Sequence, residues 1–430
     1  MMNRKLAPSL TLALLVLALG APTLEAQLKQ YRPAGQLTDA ETPDREEMKR
    51  RIEEAAWTWG RARVQPRLGL GQVEYRNNVF DESDSAEQTS DLRASAHAGL
   101  EIFLPVGTDS VLVTFARPSY QWWQDTDALN RLNWNYGVAA FGYFNRASAQ
   151  ISARRTEVEQ NLNNEVRIPV TTQTDRIGVD GEIEIRGPWK VFGSVVSAGS
   201  RYPNAEDLVD YISELTLLER DEEIFSLGVA YDAAGRFEAG LGWRQVETDF
   251  LDDPEGRSSS GDYPFLKLSV PGNQLQMTAE VGQRLLEFAD SSGLRETEET
   301  VGTVRLTVPL GDRTDFALYG SRDIVYSVLD ASAFFAGDVT GVSLSWGREL
   351  KVSLFAQSGD DEYTSAGGFN EGRLDSGESF GASITFPLRW GLATQLGYHD
   401  TTIDSNFDEF DRTGSSLGLS VKLDLPDFPF

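Results

Sequence analysis

Two histidines, His97 and His399, are the only imidazoles in the chain. A Ser-His-Asp or Ser-His-Asn site, of the kind outer-membrane phospholipases use, would need one of them as its base. His399 has Asp400, Thr401 and Thr402 beside it, but neither histidine lies in a nucleophile motif. Both read better as polar residues on one face of an alternating segment, and no catalytic residue is assigned. A second candidate chemistry is ion binding. "DSNFDEFD" places Asp404, Asp408, Glu409 and Asp411 within eight residues. An EF-hand loop starting at Asp404 would need glycine at its sixth position, and Glu409 stands there. "DFLDDPEG" (249–256) and "GDDEY" (359–363) are acidic in the same way. Solvated external loops account for all three, with a divalent ion bridging them to lipopolysaccharide phosphates as the alternative. No metal site and no cofactor is assigned.

The third candidate set is cationic. Arg67, Arg93, Arg154, Arg176, Arg186, Arg244, Arg284 and Arg305 fall on the polar side of alternating segments. So do Glu101, Asp180, Glu182, Glu184, Glu238 and Glu280. Guanidinium forks suit carboxylate and phosphate, and rings of charge set selectivity in pores. Cross-strand Arg–Glu pairing that stiffens the wall is the competing explanation. The choice depends on which residues share a height.

The elements that must position these residues are strands. "DLRASAHAGLEIFL" sets Leu92, Ala94, Ala96, Ala98, Leu100 and Ile102 against Arg93, Ser95, His97, Gly99 and Glu101. "DRIGVDGEIEIRG" and "NQLQMTAEVGQR" alternate in the same way, at a period of two. The connections alternate between short and long. Short turns fall at 105–110, 145–146, 187–189, 233–235, 271–273, 311–313, 347–349 and 387–390. Long polar loops fall near 76–91, 124–131, 157–173, 202–221, 249–261, 289–299, 328–338, 359–377 and 401–413. Eight turns and nine loops make about eighteen strands of about 9–14 residues, the length a tilted transmembrane strand needs. Aromatics near strand ends (Trp122, Trp123, Tyr143, Phe144, Trp189, Trp390) suit interfacial belts. The expected fold is an all-β, closed antiparallel transmembrane barrel over 63–430.

Composition agrees. Of 430 residues none is Cys, 66 are Asp or Glu and 39 are Lys or Arg, a net charge of -27. That balance argues against nucleic acid, which needs a basic footprint. Residues 1–26 have the basic start, apolar run and small residues of a signal peptide. Residues 27–62 form a periplasmic segment in which "TPDREEMKRRIEEAAWTWG" reads as a helix capped at Thr42 and Pro43. Met48, Ile52, Ala55 and Trp59 make its apolar stripe. The helix is expected to rest on the barrel rim, the alternative being a plug.

Two stretches carry a resemblance. "RVQPRLGLGQVEYRNNVFDE" (63–82) runs a strand into Tyr75, Asn77, Asn78, Val79 and Phe80. It resembles the opening of the β-barrel porin-2 family of Gram-negative outer-membrane barrels, with Asn77 where an acidic residue is usual. Many members sit in exopolysaccharide gene clusters, so the resemblance implies a porin-like channel, for polysaccharide or small solutes, and no catalytic residues. "LGLSVKLDLPDFPF" (417–430) alternates and ends on an aromatic, as outer-membrane barrels do. That likeness implies recognition of Phe430 by the barrel assembly machinery, with outer-membrane lipid and lipopolysaccharide as the other partners. The alternative to a channel is a structural or adhesive barrel acting through its acidic external loops.

Overall fold

The computed structural model describes residues 45–423, apart from 81, 85, 161–168, 206–214, 255, 273, 290–293, 328–331, 349, 366–371 and 389–391. Residues 1–26, expected as a signal peptide, the expected helix caps Thr42 and Pro43, Trp390 and Phe430 lie outside the described residues. One helix, α1 (Arg45–Glu53), and a three-residue strand, β1 (Trp57–Trp59), precede the barrel. The barrel strands are β2 (Ala62–Arg76), β3 (Asp91–Val106), β4 (Ser110–Trp123), β5 (Arg131–Tyr143), β6 (Ala147–Gln160) and β7 (Val170–Arg186). They continue as β8 (Trp189–Arg201), β9 (Arg220–Asp232), β10 (Glu238–Phe250), β11 (Ser259–Pro271), β12 (Gln276–Phe288) and β13 (Thr297–Pro309). The last six are β14 (Thr314–Tyr326), β15 (Ser332–Trp346), β16 (Lys351–Ser365), β17 (Leu374–Pro387), β18 (Leu392–Ser405) and β19 (Arg412–Leu423).

Each barrel strand pairs antiparallel with its sequence neighbours, and β19 returns to β2. The eighteen strands therefore form one closed ring, as the alternation of turns and loops predicts. Closure is what lets so many strands coexist in lipid, because no edge is left with unpaired backbone groups. At the closing seam, Leu423 is opposite Leu68. Below that point β1 takes over the free edge of β2, from Val64 to Ala62.

The short turns are tight. Between β9 and β10, Ala234 and Gly235 both have positive φ, 52° and 75°. Asp232 Oδ1 accepts the Gly235 N–H at 3.0 Å. This twist suits a hairpin, although alanine adopts it at a cost that glycine avoids.

The two faces separate cleanly. Leu227, Leu241, Leu266, Ile177 and Leu417 are exposed on the outer wall. The residues next to them in sequence point inward, and many are buried: Ser226, Gly228, Gly240, Phe265, Gly178 and Gly418. An apolar outer band around an inner polar face is the transmembrane barrel pattern. Trp122 follows the belt expectation and faces outward. Trp123 does not: it is fully buried on the inner face. Tyr143 is likewise buried inward, whereas Phe144 and Trp189 are exposed.

Candidate functional site: the lumen

The lumen is narrowed from both ends. At the periplasmic end, α1 lies against the inner wall instead of resting on the rim. Met48 is 2% exposed and clusters with Phe103 of β3, Val111 and Val113 of β4, and Phe141 and Tyr143 of β5. Ile52 and Ala55 pack on the same cluster. All five wall residues point inward. The expectation of a rim-resting helix is thus corrected: Met48, Ile52 and Ala55 of its expected stripe meet an apolar patch inside, whereas Trp59 lies beyond the helix in β1 and is 80% exposed. Arg45 also reaches Asp109 in the β3–β4 turn.

At the outer end, loops fold in over β8–β15. Tyr202, Ala205, Leu215 and Leu218 of the β8–β9 connection share one buried cluster with the inward Phe250, Tyr263, Leu286, Val301, Ile324 and Tyr326. Arg257, 1% exposed, ties this cap together. Its Nη1 donates to the Ser327 carbonyl at 2.6 Å and its Nη2 to the Leu217 carbonyl at 2.8 Å. Its guanidinium lies 4.8 Å from the Phe250 ring centroid. Three separate outer connections meet at this one side chain, which no motif or spacing singles out. Asp253 completes the clamp. It accepts the backbone N–H of Arg257 at 2.6 Å and of Ser258 at 2.8 Å. Burial raises the Asp253 pKa, but those hydrogen bonds outweigh it and hold the carboxyl below its ordinary range.

Seven of the eight arginines lie on inward faces, and their environments differ. Four are tied to acids. Arg93 bonds Glu74 at 2.6 Å and Glu159 at 3.3 Å, over the buried Trp123 ring. Arg244 bonds Glu280 at 3.0 Å and stacks over Tyr263 and Phe265. Arg284, 3% exposed, pairs with Asp323 at 3.3 Å. Arg67 shares one oxygen of Glu101 with Arg117, at 3.5 Å and 3.4 Å. For these the cross-strand pairing explanation holds. Arg305 is exposed on the inner face. The inward expectation for Arg186 is corrected: a bulge after Glu184 shifts the register and sets Arg186 opposite the outward Trp189. Arg154 and Arg176 sit directly opposite each other on β6 and β7. Gly137 is the other neighbour of Arg154, and a Cβ there would come within 2.8 Å of the arginine Cβ. The glycine therefore makes room for the side chain. Asp180 is on the same face, four residues along β7.

Among the inward acids, Glu280 is engaged by Arg244. Glu238 is held by Lys190 at 3.4 Å and Lys267 at 2.7 Å. Glu182 and Glu184 stay exposed near the periplasmic end. His399 bonds Ser379 at 2.6 Å and Thr401 at 3.2 Å, and its ring is 5.7 Å from Phe355. Ser379 itself is buried, 4% exposed. His97 lies on the inner wall over Gly69. Two of the acidic stretches bond nearby backbone, as Asp411 does in accepting the Ser405 N–H at 2.7 Å, and in the third Asp360 accepts the Ser376 hydroxyl at 2.6 Å. Among the described residues no group of three or more His, Asp or Glu side chains is placed to hold a metal ion.

No family model matches the chain. No curated protein matches it either. Solved structures do. A BenF-like porin from Pseudomonas fluorescens aligns with a TM-score of 0.50 at 12% identity, over 84% of this chain and 99% of that one. OccAB3 of Acinetobacter baumannii aligns at 0.49 and 8%, over 84% and 99%. OprD of Pseudomonas aeruginosa aligns at 0.47 and 10%, over 84% and 94%. The shared feature is the fold. The chain is an outer-membrane barrel. Even-stranded antiparallel barrels with short turns at one end and long loops at the other belong to the Gram-negative outer membrane, and the apolar outer band places this one there.

Proposed function

We propose that the protein is a pore for small anionic solutes, narrowed by α1 below and by the Arg257-clamped loops above. The observation that carries this reading is the direct juxtaposition of Arg154 and Arg176 on the inner wall. Like charges directly opposite on a sheet are destabilising. A site that retains them in a confined polar space gains a local attraction for carboxylate or phosphate. The net charge of -27 does not oppose it, because much of the acid lies in outer loops and outward strand ends. Passage of polysaccharide rests on the resemblance of residues 63–82 alone. A lumen occupied at both ends favours small solutes over a polymer.

The test is the reversal potential of the purified protein in planar bilayers under a KCl gradient. Arg154→Gln with Arg176→Gln should shift selectivity toward cations. The same change at Arg244 and Arg284, which do not sit opposite another arginine, should shift it less. An unchanged reversal potential in the Arg154/Arg176 variant refutes the anion site. Absence of conductance, with α1 present or removed, refutes the pore and leaves the structural barrel.

A further inference from the structure

The outer wall is not uniform around the ring. On β9 the outward residues are apolar up to Phe225 and then turn acidic at Glu223 and Asp221. On β16 they turn at Ser358 and continue as Asp360 and Glu362. On β3 no such change occurs. Its eight outward residues, from Leu92 to Val106, are all Leu, Ala, Ile or Val. The adjoining strands continue the surface with Tyr120 and Trp122 on β4 and Leu132, Trp134 and Tyr136 on β5, each more than a third exposed. No outward residue of β3, β4 or β5 is charged. The flank ends at β6, where the outward Arg155 pairs with Asp175 of β7.

A membrane has one thickness. At about 3.3 Å per residue and a tilt of about 40°, Leu92 to Val106 rises about 35 Å, against an apolar band of about 25 Å on barrels of this class. The top of the β3–β5 flank therefore stands at the level where the other walls carry carboxylates, in a polar layer that acyl chains do not cover. An exposed apolar patch of this kind marks an association surface. Charge selects the occupant. Two copies of a chain at -27 repel wherever their acidic walls meet. The β3–β5 flank, continued by β2 and β19, brings no outward charge to the contact, and of these β3 stays apolar to its outer end, where β19 turns to Ser415 and Thr413. Ala94, Ala96 and Ala98 beside the aromatics keep the β3 surface flat, which lets backbones approach closely. A flank of this kind can seat against itself about a two-fold axis.

We infer that the β3–β5 flank is a self-association surface, and that the protein works as a flank-to-flank dimer in the membrane. Photo-crosslinking in native outer membranes tests it. A benzophenone amino acid replacing Tyr120 should give an adduct of twice the chain mass. The same probe replacing Thr300, at a similar height on the opposite wall, should not. Ala96→Arg should reduce the Tyr120 adduct at least tenfold, while the heat-modifiable mobility of the folded barrel persists. If Ala96→Arg fails to assemble, the Tyr120 and Thr300 comparison still decides. Adducts to lipid alone at Tyr120, adducts to a different protein, or equal doubled-mass adducts from both probes overturn the proposal.

Discussion

Removing α1 should raise single-channel conductance, and the size of the rise can be worked out. Eighteen strands spaced about 4.8 Å apart and tilted about 40° give a circumference near 113 Å and a backbone diameter near 36 Å. Side chains on both walls leave a lumen about 26 Å across. A helix with its side chains is about 11 Å wide, so α1 occupies about a fifth of that cross-section. Deleting 45–53 should then raise conductance by up to about a fifth, since the outer cap stays in series. A milder perturbation is Met48→Ala. Met48 is 2% exposed on its seat, and truncating a buried Met costs about 2–5 kcal/mol. Even 2–3 kcal/mol shifts the seated-to-released ratio about 30- to 150-fold. The seat itself reports this. The chain has no native cysteine, so Val113→Cys, beneath the helix, should react with a thiol reagent slowly when α1 is seated and faster in the Met48→Ala background. Conductance unchanged by the deletion, with labelling of the Val113→Cys thiol unchanged in the Met48→Ala background, would refute the seat and return α1 to the rim.

The barrel was legible because its rule is repetitive. A period of two, short turns opposite long loops and an even strand number fix the ring, and each turn constrains the next. The two lumen closures were hidden in places where that rule fails. At the periplasmic ends of β3, β4 and β5 the sequence reads Ile102-Phe103-Leu104, Val111-Leu112-Val113 and Val138-Ala139-Ala140-Phe141. A strand with lipid outside and water inside has no reason to be apolar on both faces. Loss of alternation there signals that something covers the inner face, and the something is α1. The same signal sits at Ala333-Phe334-Phe335-Ala336, where the outer loops fold in. Arg257 had no such mark: its partners are two backbone carbonyls about 40 and 70 residues away in sequence, and a carbonyl leaves no trace in residue type. Alternation is enough to put seven of the eight arginines on the inner face, and it fails at Arg186, where a bulge shifts the parity. Which residue each one meets across the wall depends on strand register, which alternation alone does not give.

The remaining expectations concern faces, packing and pH. Leu227→Arg puts a cation on the lipid face at a cost of about 2–4 kcal/mol near the midplane, so it should impair assembly as judged by heat-modifiable mobility, whereas Thr278→Arg on the inner face should not; equal tolerance would reverse the face assignment. Gly261→Ala should block assembly, because a Cβ there would fall 1.7 Å from the Leu285 carbonyl oxygen; a normal yield of folded barrel would show that β11 can shift. Arg257→Ala strands two buried carbonyls at about 1–3 kcal/mol each, and should speed proteolysis of the outer loops on whole cells; unaltered cleavage would mean that the cap holds without the clamp. The last expectation is a pH dependence of that cap. The Asp253 carboxyl is held below its ordinary range by the N–H groups of Ser258 and Arg257. A carboxyl whose pKa is depressed in the folded state contributes stability that is fully present above its unfolded value and is lost as pH falls through the folded one. The cap should thus be closed at neutral pH and loosen below the ordinary carboxylate range, seen as rising current noise or faster loop cleavage on acidification. In Asp253→Asn the neutral side chain accepts the same N–H groups more weakly and does not titrate. That variant should be looser at neutral pH, and its response to acid should be blunted. An acid response of equal size in Asp253→Asn would assign the titration to a different group and remove Asp253 from the clamp.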